Sequence, residues 1–209
     1  MNLVVVDSIR LIKVVKLMQN EHVLMCIMGE SACGKDTLVN ELCKRNGWTQ
    51  LISYTTRPQR KNEGATHIFV DTDIYMAMKE NNEIAAYTYI NNNHYWSTID
   101  QLYDSDFYII DPSGIASLKA LNLPNLRIVT VYINVPEDVR KERAMKRGDD
   151  VVTYKARCFS ERNQFREMKK NMDVDYVVPN IDFAKAFSVL KWIATVEGVW
   201  KNHEEDSFE

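Results

Sequence analysis

The stretch from residue 22 to 46, HVLMCIMGESACGKDTLVNELCKRN, decides how the rest of the chain is read. It opens on an apolar run of strand length, His22–Met28, and closes on a helical pattern, Lys35–Asn46. Between them Gly29, Glu30, Ser31, Ala32, Cys33, Gly34, Lys35, Asp36 and Thr37 fit G-x-x-x-x-G-K. Strand, glycine loop, helix is the context in which that spacing makes a phosphate cradle. Glycines let the backbone wrap closely around a polyphosphate while successive N–H groups point inward. The helix N-terminus adds partial positive charge, and Lys35 adds a full one. After Lys35 stands Asp36, where the motif usually has a Ser or Thr whose hydroxyl binds magnesium. Asp36, a hard oxygen ligand, and Thr37 are the candidate Mg²⁺ ligands. Asp36 suits the first helical turn through the dipole alone as well. Cys33 lies in the same positive field, which favours a reactive thiol; the other reading is an inert small side chain.

Working outward, short apolar runs alternate with longer amphipathic stretches, the pattern of βα units and a mostly parallel sheet. Phe107–Ile110 ends in Asp111-Pro112-Ser113-Gly114 and a helical pattern, Ile115–Leu121. Leu126–Val135 reads as a strand stopped by Pro136, with Glu137 and Asp138 opening a helix. Asp175–Val178 is a shorter strand, and Phe183–Val199 a closing helix. Gln50–Gln101 differs in kind: rich in Thr, Tyr and Asn, it predicts an inserted small antiparallel sheet, including Ile84–Ile90, with a short helix near Asp73–Asn81. The first 20 residues read as an amphipathic helix or an edge strand, with no chemistry assigned.

Composition sets outer limits. In 209 residues, 26 basic against 29 acidic side chains leave a net charge of −3, without the basic field of a general nucleic-acid binder. Anionic ligands would need locally gathered arginines. Cys26, Cys33, Cys43 and Cys158 fit neither a disulfide framework nor zinc-ligand spacing, so a reducing cytoplasm is the expected location. The apolar segment from residue 3 to 18 is broken by Asp7, Arg10, Lys13 and Lys16, which argues against a membrane span or a secretion signal.

Ser53-Tyr54-Thr55-Thr56-Arg57-Pro58-Gln59-Arg60 places two arginines in a Thr/Pro-rich loop, and guanidinium forks suit phosphate oxygens. With the phosphate loop, this element closely resembles S-x-T-T-R-x-x-R of guanylate kinases, nucleoside-monophosphate kinases with a P-loop core. The resemblance continues in order. Glu63-Gly64 and His67-Ile68-Phe69 are similar to E-x-x-G-x-x-Y-x-F, two residues shorter and with His67 at the tyrosine position. The segment from Asn81 to Thr98 is similar to N-N-E-F-x-E…G-N-Y-Y-G-S/T. Asp111–Gly114 matches D-x-x-G, Arg143–Gly148 resembles the lid signature R-L-x-x-R-G, and Asn180-Ile181-Asp182-Phe183 resembles N-D-D-L.

The resemblance implies an α/β, P-loop NTPase fold: a three-layer α/β/α core with a mostly parallel sheet, a small antiparallel monophosphate-binding insert and a helical lid. The domain is then single, 1–209, with core at 22–50 and 102–200, insert at about 51–101, lid at about 138–158 and an N-terminal extension at 1–20. It implies ATP as donor, with Mg²⁺, small-molecule nucleotide substrates, and a monomer or homodimer that engages neither nucleic acid nor membrane. Ser53, Arg57, Arg60, His67, Tyr95, Ser97 and Asp111 would face the acceptor nucleotide. Lys35, Arg57, Arg143, Arg147 and Arg157 would surround the transferring phosphoryl group, and Asn180 would lie near adenine. Departures concentrate in the base pocket. The family glutamate that accepts from the guanine edge falls on Ala86, an aspartate beside Asp111 falls on Ile109, and the glycine before Ser97 is Trp96, which is expected to reshape the pocket. GMP or dGMP is the first expected acceptor. Another deoxynucleotide or a ribose bisphosphate is the alternative, and a non-catalytic binding module the third reading.

Overall fold

The computed structural model describes residues 21–59, 66–171 and 173–199. The N-terminal extension, Arg60, Glu63 and Gly64 lie outside the described residues. Strand β1 (His22–Met28) runs through the middle of a parallel five-stranded sheet of order β2-β7-β1-β8-β9. Its partners are β2 (Gln50–Leu51), β7 (Phe107–Ile109), β8 (Leu126–Asn134) and β9 (Tyr176–Pro179). The reason β1 is apolar without alternation is visible in its packing. Val23, Met25 and Ile27 enter one core cluster, and Leu24, Cys26 and Met28 enter another on the opposite face. A parallel strand covered on both sides has no solvent face to make polar.

Helix α1 (Lys35–Asn46) contributes Leu38, Val39 and Leu42 to the first cluster, with Ala186, Leu190, Ile193 and Ala194 of α7 (Phe183–Glu197). The second cluster takes Ile115 and Leu118 of α4 (Pro112–Ala120) and Phe165 and Met168 of α6 (Val151–Asn171). This is the three-layer sandwich. Each fully buried Leu, Ile or Met contributes about 1.5–3 kcal/mol. Among the described residues no helix is long and apolar enough to cross a membrane.

The insert forms a second sheet of order β4-β3-β6-β5, made of β3 (Tyr54–Thr55), β4 (Ile68–Phe69), β5 (Ile84–Ile90) and β6 (Asn93–Thr98). Its β3–β6 and β5–β6 pairs are antiparallel; the edge pair β3–β4 is parallel. Helix α2 (Thr72–Glu80) packs on it, capped by Asp71, and α3 (Ile99–Tyr103) leads back to the core behind a Thr98/Gln101 capping box. Two of the expected boundaries fall inside secondary-structure elements. Leu51 belongs to the core sheet, pairing with Tyr108. The segment expected as the lid covers α5 (Glu137–Lys146) and the first turns of α6, and that helix runs on to Asn171.

Candidate active site

The loop between β1 and α1 carries its own backbone requirements. Gly34 has φ +84°, and a Cβ there would stand 2.8 Å from Asn180 Nδ2. At Gly29 a Cβ would meet Cys33 Sγ at 2.6 Å and the Ile133 carbonyl oxygen at 2.9 Å. The loop is held from behind by donors to its carbonyls. Asn180 Nδ2 donates to Cys33 O at 2.8 Å, as does Arg143 Nη1 at 3.2 Å, and Arg140 Nη1 donates to Ser31 O at 3.3 Å. Arg143 also reaches Asn180 O at 2.7 Å. Glu30 turns away from the loop's mouth, accepting from Tyr132 Oη at 2.6 Å and Lys169 Nζ at 2.5 Å. Burial alone would push its carboxyl up; the bonds from Lys169 and Tyr132 win and hold it below the ordinary value. Of the loop's own N–H groups, that of Cys33 bonds Glu30 O at 3.1 Å and that of Ser31 bonds a Glu161 carboxylate oxygen at 2.7 Å.

A cavity of about 340 Å³ opens in front of this loop and runs across to the insert. Gly29, Ser31, Ala32, Lys35 and Asp36 line the loop side. Ser53, His67, Tyr95 and Asp111 line the opposite side, and Arg147 and Arg157 come in from the lid. Burial works against charge on Lys35, but the surrounding Cys33, Asp36 and Glu161 outweigh it and keep the ammonium above its usual range. Asp111 accepts from Ser113 N at 2.8 Å and Gly114 N at 3.0 Å, so it caps α4, which begins at Pro112 rather than Ile115. Burial raises the Asp111 carboxyl, opposed by the Gly114 N–H and the Thr88 hydroxyl. Ser53 Oγ and His67 Nδ1 are 3.0 Å apart.

Other expected residues are not brought to this cavity. Cys33 is fully buried and burial raises its thiol pKa, so the reactive-thiol reading is corrected: the wall of the core outweighs the field of Lys35. Trp96 does not line the cavity. Strand alternation sends it to the other face of β6 from Tyr95, where it stacks on Tyr54 at 5.5 Å and meets Tyr75 at 5.1 Å. Ser97 is fully buried. Arg57 lies over the Phe69 ring at 5.2 Å and donates to Pro58 O. Arg143 and Asn180 buttress the loop from outside, and Thr37 follows Asp36 onto the exposed side of α1, away from the cavity lining. Ala86 and Ile109 do line it, as unreactive walls.

Three participants escaped the sequence reading. Thr88 is in phase with Ala86 on β5, two residues on, a signal that period-2 alternation carries. Glu161 lies one helical turn after Arg157. Its Oε1 accepts from the Ser31 N–H at 2.7 Å and its Oε2 from Ser31 Oγ at 3.1 Å, which places a carboxylate against the phosphate loop. Burial raises this carboxyl above the ordinary range, opposed by the Ser31 N–H and Lys35. Asp149 joins the two lid arginines and is treated below.

The family model described as guanylate kinase matches residues 21–196. A guanylate kinase of Hyphomonas neptunium is 30% identical over 189 residues, covering 85% of each chain. One of Anaplasma phagocytophilum is 27% identical over 178 residues, covering 79% of this chain and 82% of its own. The crystal structure of guanylate kinase from Anaplasma phagocytophilum superposes with a TM-score of 0.62 at 21% identity, covering 85% of this chain and 87% of that one, and shows the shared fold.

Proposed function

The chain belongs to the guanylate kinase family, and we propose that it transfers the terminal phosphoryl group of ATP to a nucleoside monophosphate, GMP or dGMP first. The observation that carries this is the continuity of one cavity from Lys35 and the loop N–H groups to Ser53, His67, Tyr95 and Asp111, roofed by Arg147 and Arg157. An anion acceptor needs no base, because a phosphate oxygen is already ionised near neutral pH. Catalysis is then positioning plus charge stabilisation of a loose transition state. Lys35 and the loop hold the donor phosphates; Arg147 and Arg157 face the phosphoryl group between donor and acceptor. Tyr95, Ser53 and Asp111 orient the acceptor; Arg57 would join them only by leaving the Phe69 ring. Arg143 and Asn180 serve as supports of the loop, with adenine passing beside them.

Mg²⁺ fits Asp36, which presents a largely exposed carboxylate to the cavity 4.0 Å from Lys35 Nζ. Among the described residues no cluster of three or more His, Cys, Asp or Glu forms a cage of its own. One carboxylate plus substrate phosphates is the usual Mg²⁺ set. The ion, when bound, offsets phosphate charge.

A second reading rests on Ala86 and Ile109. Both face the cavity without a hydrogen-bonding atom, so another base could enter where guanine would leave donors unpaired. Turnover of a panel of ribo- and deoxymonophosphates with ATP and Mg²⁺, followed by ADP formation, separates the readings. GMP or dGMP as best substrate supports the first; a pyrimidine as best substrate supports the second. Absence of turnover with every member, despite ATP binding, overturns both.

A further inference from the structure

The turn joining α5 to α6 holds a carboxylate between two cations. Asp149 Oδ2 accepts from Arg147 Nε at 3.0 Å, Arg147 Nη2 at 2.5 Å and Arg157 Nη1 at 3.0 Å. Arg147 caps the end of α5, while Arg157 lies in the second turn of α6. A single oxygen therefore ties the two lid helices together through their arginines. The Asp149 side chain is 16% exposed, and its backbone is fixed on both sides. Its own N–H bonds Ala144 O at 3.0 Å, and the next residue, Asp150, caps α6 through Thr153 N at 2.9 Å. Both arginines also line the cavity that Lys35 faces.

Without the carboxylate, two like charges would be forced to one wall of a cleft and would splay apart. With it, each planar fork is oriented and still keeps N–H groups beyond those spent on Asp149, since a guanidinium carries five. We propose that Asp149 is a positioning residue that holds Arg147 and Arg157 as one preorganised cationic unit for the phosphoryl group. This rests on the phosphoryl-transfer reading. Preorganised charge acts on the transition state without reorganising when the reaction occurs. The same carboxylate lowers the net positive charge of the cavity, so it does nothing to help ATP bind in the ground state. Its loss should therefore appear in kcat and not in KM.

The experiment compares wild type, Asp149→Asn, Asp149→Glu, Arg157→Ala and the double variant Asp149→Asn/Arg157→Ala with ATP and the best acceptor of the panel. Asp149→Asn is expected to lower kcat about tenfold or more, with KM for ATP unchanged or smaller and the melting temperature within a few degrees. Asp149→Glu, which keeps the charge, should recover part of the loss. The double variant should lose clearly less than the product of the two single losses, because part of the Asp149 effect passes through Arg157 and the rest through Arg147. A wild-type rate in Asp149→Asn, or losses that multiply in the double variant, overturns the assignment. So does a fall in kcat that comes with a raised KM and a large loss of melting temperature. A wild-type enzyme inert toward every acceptor instead overturns the phosphoryl-transfer reading on which the proposal stands.

Discussion

Replacing Glu161 by Gln should tighten ATP binding. The carboxylate occupies donors of the phosphate loop, at 2.7 Å from Ser31 N and 3.1 Å from Ser31 Oγ, and faces Lys35 across the same cavity. Phosphates entering the loop must displace it or sit beside it. Hydrogen bonds to a charged group contribute about 1.5–3 kcal/mol net, and removing the charge roughly halves them, so displacement becomes easier by about 0.75–1.5 kcal/mol. If the carboxylate stays roughly 5 Å from a phosphate charge, an effective dielectric near 20 adds repulsion of about 3 kcal/mol. The expected gain in Kd runs from about threefold, where the carboxylate is displaced, to about a hundredfold or more, where it stays. Isothermal titration calorimetry with ATP in the absence of Mg²⁺ reads it free of metal coordination. The pH dependence has a definite sign. Burial has already raised this carboxyl, and an incoming anion raises it further, so binding takes up a proton and wild-type affinity grows as pH falls toward that pKa. The Gln variant should lack that part of the pH profile. Equal or weaker ATP binding by the variant would refute the reasoning, since it would mean that the carboxylate assists the phosphates rather than competing with them.

Two other substitutions probe the loop. Lys35→Met should abolish turnover while far-UV circular dichroism stays unchanged, because its ammonium faces the cavity and the hydrophobic clusters do not depend on it; retained activity would contradict its role. Gly34→Ala forces a side chain into a φ of +84° and sets Cβ 2.8 Å from Asn180 Nδ2. It should cost at least about 1–2 kcal/mol in a denaturant melt and weaken ATP binding; an unchanged melt would show that the loop relaxes freely.

Much of the fold could be read from β1 and its loop because both rest on local rules. An apolar run covered on two faces needs no information from elsewhere, and Val23–Met28 carried its assignment unaided. The α6 helix was harder. Its sequence, VVTYKARCFSERNQFREMKKN, exposes most of its residues and buries only Tyr154, Phe165 and Met168, so the periodicity that marks a helix is faint. Only the packing against β8 and α4 shows that the lid and the core share one continuous rod.

The site divides along the same line. Residues whose position follows from backbone geometry, Gly29, Gly34 and Lys35, stand in the loop between β1 and α1 where their spacing puts them. Which way a side chain turns is not legible in such spacing. Trp96 is a case where alternation decides: with Tyr95 facing the cavity, its neighbour has to enter the layer between β6 and α2, however bulky it is. Arg143 and Arg147 are another. Four residues apart on one helix, they differ in fate because Arg143 meets the carbonyls of Cys33 and Asn180, while Arg147, at the helix end, meets Asp149. A carbonyl partner spends a guanidinium on architecture, whereas a carboxylate at the cavity's rim leaves part of it on the cavity wall. The lid's chemical capacity is therefore set less by how many arginines the sequence supplies than by which acceptors the turn between α5 and α6 brings to them.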